Sequence, residues 1–144
     1  MNKEVKNNVL ARLVVLVFVG MIAVSCSKYD KMSILGEWTI DLKEALSLKV
    51  DSAKESLLFE SGSAQTYTES HYERNVGLTT WVIKGTFDRK NNKITFSNRV
   101  KEDSGESMIP ETFKYRIEDD KLILIVKDKG FANDEKIYTK KKGF

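Results

Sequence analysis

Few side chains here are of a type that does chemistry, and each of them is isolated. Cys26 in "AVSC" (residues 23–26) is the only cysteine, and His71 in "TESHYER" (residues 68–74) is the only histidine. A thiol serves as nucleophile, redox centre, metal ligand or acylation site, and a single one excludes an internal disulfide framework. No Cys/His cluster is present to hold zinc, so no metal site is expected. His71 would act as a general base only with an orienting partner and a nucleophile close by. Glu69 shares its face if the segment is a strand, but nothing in the sequence marks a nucleophile. The expected role is therefore a solvated histidine on a polar strand. Glu69 and Glu73 alternate along the segment and invite comparison with a glycosidase pair, yet carboxylates on a polar strand face are common. There is no phosphate-binding glycine loop and no Ser-His-Asp arrangement. The chain is not expected to be an enzyme, and nothing calls for a cofactor.

The surroundings of Cys26 say more than the thiol does. Lys3, Lys6 and Arg12 precede "LVVLVFVGMIAV" (residues 13–24), which carries no charge. That run is shorter than the roughly 20 residues that span a bilayer. Basic residues, a short apolar stretch and then small residues follow the order of a secretory signal peptide. "AVSC" resembles the lipobox of bacterial lipoproteins, in which the cysteine is lipidated and the peptide is cut just before it. Ser25 and Val24 fit that pattern, and Ala23 stands where leucine is usual. The resemblance implies removal of residues 1–25, a lipid anchor at Cys26 with a polar tether through residue 33, and a domain over residues 34–144. Several acyl chains hold a protein to a membrane where one does not. The expected location is the bacterial cell envelope, at the outer membrane. The formal net charge of +3 over 144 residues gives no electrostatic case for a nucleic-acid partner.

The elements that must position any site read mostly as strands. "WVIKGTF" puts Trp81, Ile83 and Phe87 on one face, and "KITFS" pairs Ile94 with Phe96 across an asparagine-rich turn. "FKYRI" alternates Phe113, Tyr115 and Ile117 with Lys114 and Arg116. "KLILIVK" is apolar on both faces and needs a cover on its outer side. The expected cover is a helix in "DLKEALSL", where Asp41 and Glu44 form a capping pattern and Leu42, Ala45 and Leu46 share a face. "SLLFESGSAQTYTESHYE" folds about Ser61 and Gly62, residues 101–107 form a loop around Gly105, and "EKIYTKKK" closes the chain with lysines suited to an edge. The fold class is all-β: about eight antiparallel strands in an up-and-down barrel, with one short helix after the first strand.

In order and spacing these segments resemble small bacterial lipoproteins with a lipocalin-like domain. The residues that carry the likeness are Gly36-Glu37-Trp38 after Leu35, "LLFESGSAQTY", Trp81 with Phe87 before Asn91-Asn92, "KITF", "KLIL" and "YTKK", across residues 34–141. The helical insert departs from the pattern and would alter one mouth of the barrel. The likeness implies binding of a small apolar molecule. Trp38 is expected to plug the closed end, and Trp81, Phe96 and Tyr115 are the candidate ligand contacts. A barrel of eight strands is just wide enough for its own side chains or one small ligand. The alternative is therefore a filled barrel that meets a protein or glycan through its surface.

Overall fold

Turn chemistry sets the topology. The computed structural model describes residues 27–142, so the expected signal segment and the expected anchor at Cys26 lie outside the described residues. Strands β4 (Leu78–Lys90) and β5 (Lys93–Lys101) join through Asn91 and Asn92, whose φ angles are 54° and 55°. Two successive left-handed residues give the hairpin turn that matches strand twist, and asparagine tolerates that conformation. The other strands are β1 (Gly36–Asp41), β2 (Ser52–Ser61), β3 (Gln65–Arg74), β6 (Ser107–Met108), β7 (Glu111–Glu118), β8 (Lys121–Ile125) and β9 (Glu135–Lys140).

All pairings are antiparallel, and β9 returns to β1. The result is a closed eight-stranded up-and-down barrel, with β6 as a short extra rung beside the end of β5. Closure gives each of the eight barrel strands a partner on both sides, which limits the edge available to template aggregation. Period-two patterning fills the interior: Trp38 and Ile40, Leu57 and Phe59, Phe87, Ile94 and Phe96 all contribute to one buried cluster. Phe59 meets Phe87 edge-on with centroids 5.0 Å apart. Burying side chains of this size contributes about 1.5–3 kcal/mol each.

One end of the barrel is shut by a segment expected to be a loose tether. Residues 27–33 instead dock through a 3₁₀ turn, Lys28–Lys31. Tyr29 packs against the core, and its N–H donates to Asn92 Oδ1 at 2.9 Å. The Asp30 carboxylate accepts from Tyr115 Oη at 2.6 Å and from the Asn92 N–H. Arg89 donates to the Met32 and Tyr29 carbonyls at 2.8 and 3.2 Å. Trp38 is fully buried, with its indole N–H bonded to the Ile34 carbonyl at 2.9 Å.

At the other end stands α1 (Leu42–Leu46), capped by Asp41 Oδ1, which accepts from the Glu44 N–H at 3.2 Å. Its place differs from expectation. It touches β1 and β2 and leans over the barrel mouth, and does not cover the outside of β8. The outward Ile123 is buried between its cross-strand neighbours Arg116 and Ile137.

A bulge completes the mouth. Asn98 is left-handed at φ 51°, and the β4–β5 register shifts between Lys84 and Thr86. Gly85 lies opposite, where a Cβ would stand 2.5 Å from the Ser97 carbonyl oxygen and 2.8 Å from the Tyr67 ring. The extra residue reverses the facing of everything after it. Arg99 therefore turns into the barrel.

Candidate functional site

The mouth end is not filled. A cavity of about 520 Å³ is walled by Leu57, Trp81, Phe96, Phe113, Leu124 and Phe131, with Leu42 and Leu46 of α1 at its rim. Its volume lies in the range of small-molecule sites, which are about 300–1,000 Å³, and it combines apolar walls with a few convergent polar groups as such sites do. Lys129 lines it too, and the other polar groups are Glu69, His71, Arg99, Glu111, Lys136 and Tyr138.

These groups form one connected network. Glu55, 3% exposed, sits beneath them and accepts from the Tyr138 hydroxyl and from Lys136 Nζ. His71 lies between two carboxylates, with Nδ1 3.2 Å from Glu55 and Nε2 3.3 Å from Glu69. Arg99, 6% exposed, reaches Tyr67 Oη at 2.8 Å, the Ile109 carbonyl at 2.9 Å, Glu111 at 3.1 Å and Glu69 at 3.5 Å. Among the described residues no buried side-chain polar atom lacks a partner.

The titration behaviour follows from this packing. Burial raises the Glu69 carboxyl, but the hydrogen bond and charge of His71, with Arg99 and Lys136, outweigh it and hold the group below its usual value. Burial and then the Glu55 carboxylate push the Tyr138 phenol well above its ordinary range. Burial likewise lifts Tyr67 to about 12, against the opposing hydrogen bond from Arg99.

Strand register assembles the network. Glu55 pairs directly with His71, and His71 pairs with Trp81, so three strands present these groups side by side. The His71 and Trp81 rings lie 4.3 Å apart. Ligand atoms of Glu55, Glu69 and His71 all fall within 4.8 Å of one another, a spacing compatible with a metal ion. Lys136 and Arg99 already neutralise those carboxylates, and the cluster reads as an internal ion-pair network.

Two of the three candidate contacts, Trp81 and Phe96, line the cavity, and Trp81 is 36% exposed. Tyr115 does not line it; its hydroxyl is engaged with Asp30 at the closed end. Phe113, two residues earlier on β7, stands in the wall. His71 is not a solvated surface histidine, because its strand face is the barrel interior at this height. Glu73, two residues on, is exposed at the rim. Glu55, Arg99 and Lys136 stand in the site without having been expected there from the sequence. Glu55 had a legible signal: it shares the period-two face of Ala53, Leu57 and Phe59, so a carboxylate falls in an apolar row. Lys136 likewise keeps phase with the buried Tyr138.

The fold and cavity define a small antiparallel barrel with an amphipathic internal site. Comparison of the chain with protein-family models, curated proteins and solved structures gave no match.

Proposed function

We propose that the protein is a membrane-anchored cell-envelope lipoprotein whose lipocalin-like barrel binds a small apolar ligand in the mouth cavity. The observation that carries this reading is the cavity of about 520 Å³ with its aromatic and aliphatic walls. It favours a ligand over a filled barrel that works through its surface. The anchor at Cys26 rests on the signal-like run and the lipobox resemblance. The chain enters the fold at the closed end, where residues 27–33 dock. A lipid on Cys26 therefore places the closed end toward the membrane and the mouth away from it. Ligand exchange then takes place with the aqueous side.

The strand pairings all fall within residues 36–140, so a chain beginning at Ser27 retains the whole barrel. Titrating that chain with a fluorescent fatty-acid probe and following tryptophan emission tests the reading. Saturable one-to-one quenching, reversed by unlabelled lipid, is the expected result. A flat titration would refute ligand binding and direct attention to a protein or glycan partner at the surface.

A further inference from the structure

The barrel wall has a gap beside the cavity. Pairing of β7 with β8 runs from Glu118↔Lys121 to Tyr115↔Leu124 and stops there. On the other side of each strand pairing continues farther toward the mouth, with Phe113 and Glu111 on β5 and Ile125 on β9. Between the parted strands lies a slot of about 340 Å³ lined by Thr112, Phe113, Lys114, Ile125, Val126, Lys127 and Lys129. Phe113, Val126 and Lys129 also line the main cavity, so the two spaces abut at those side chains.

The charge in this slot is one-sided. Three lysines and no carboxylate line it. Among the described residues Lys114, Lys127 and Lys129 take part in none of the ion pairs. The other two cations of the cavity, Arg99 and Lys136, are in the opposite condition. Arg99 is held by Tyr67, Glu69, Glu111 and a backbone carbonyl, and Lys136 by Glu55. An anionic group that entered the interior would have to displace a bonded carboxylate. The same group at the slot meets ammonium groups that take part in no ion pair among the described residues.

We propose that the ligand is a single-chain anionic amphiphile. Its acidic head, carboxylate or phosphate, lies against Lys114, Lys127 and Lys129, and its tail passes Phe113 and Val126 into the cavity. This deepens the ligand-binding reading and rests on it. The exposed head accounts for a slot that is basic at its rim and apolar at its inner wall. Because these ammonium groups are solvated, their attraction for the head is modest singly and weakens with salt.

The experiment compares dodecanoate, dodecyl phosphate and uncharged dodecanol on the chain beginning at Ser27 and on its Lys114→Gln/Lys127→Gln/Lys129→Gln variant. All three positions are exposed, so the variant should keep the parent's urea midpoint. At low salt at least one anion should bind about tenfold tighter than dodecanol. That advantage should vanish in the variant and shrink with added salt, while dodecanol affinity changes much less than the affinity of the anions. Preference for one anion over the other supports the proposal and assigns the head group. Equal binding of all three ligands, or an anion preference that survives in the variant, overturns the proposal and leaves the ligand-binding reading standing. If none of the three binds the parent chain, that reading fails and the proposal fails with it.

Discussion

Each end of the barrel carries a tryptophan, an arginine near a strand end and a tyrosine hydroxyl bound to a carboxylate, yet the cavity of about 520 Å³ lies at one end and a docked segment at the other. At the closed end these are Trp38, Arg89 and the Tyr115–Asp30 pair. At the mouth they are Trp81, Arg99 and the Tyr138–Glu55 pair. The difference lies in what the polar groups bind. Arg89 and Asp30 spend their hydrogen bonds on the backbone and on residues 27–33, which draws that segment in as a plug. The mouth groups bind mainly one another, across β2, β3, β5, β7 and β9, which satisfies them without drawing a segment of chain into the space. Similar chemistry thus closes one end and leaves the other available.

The largest expected effect that would sharpen this contrast is at Trp38. Its replacement by alanine removes the largest fully buried side chain and its bond to Ile34, and should cost about 3–5 kcal/mol in urea denaturation. A loss comparable to that of a surface substitution would show that the closed end is not the stabilising one.

Next comes the plug itself. Asp30→Ala leaves the buried Tyr115 hydroxyl without its partner and should destabilise by about 1–3 kcal/mol. It should also speed hydrogen exchange at the Asn92 amide, which donates to the same carboxylate. Unchanged exchange would mean that residues 27–33 do not dock.

A pH series probes the mouth. The Glu69 carboxyl is held below its usual value of 4.5 in the folded protein. Its contribution is therefore complete above about pH 4.5 and is lost as the pH falls through the folded-state value. The parent chain should lose more stability between neutral and acid pH than Glu69→Gln does. Identical acid profiles would remove Glu69 from the stabilising network.

The smallest effect on stability is expected at Trp81, which is 36% exposed. Trp81→Ala should change stability by about 1 kcal/mol or less while weakening probe binding severalfold. A cost as large as that at Trp38 would erase the distinction between the two ends.

Much of the barrel was legible because strand and turn signals are local. Alternation in "WVIKGTF" and "FKYRI", the Asn91-Asn92 turn and the Asp41 cap each act within a few residues, and each appears as read. The site was less legible because it depends on which strand faces which. Trp81 and Phe96 were within reach as inward aromatics, whereas Tyr115 had the right face at the wrong height of the barrel. His71 looked solvated because its neighbours in sequence are polar, while its actual partner Glu55 lies across the ladder on β2.

By itself, then, the sequence determined an antiparallel barrel of about eight strands, the hairpin order, the capped helix and most of the inward rows. Those follow from short-range propensity and period-two burial. The tertiary structure alone decided where the helix leans, that residues 27–33 form a plug, and that β7 and β8 part above Tyr115. It also decided the facing of Arg99. Strict alternation along "KITFSNRVK" would turn that residue outward, and only the bulge at Asn98, accommodated by the missing side chain of Gly85, brings its charge inside to meet Glu69 and Tyr67.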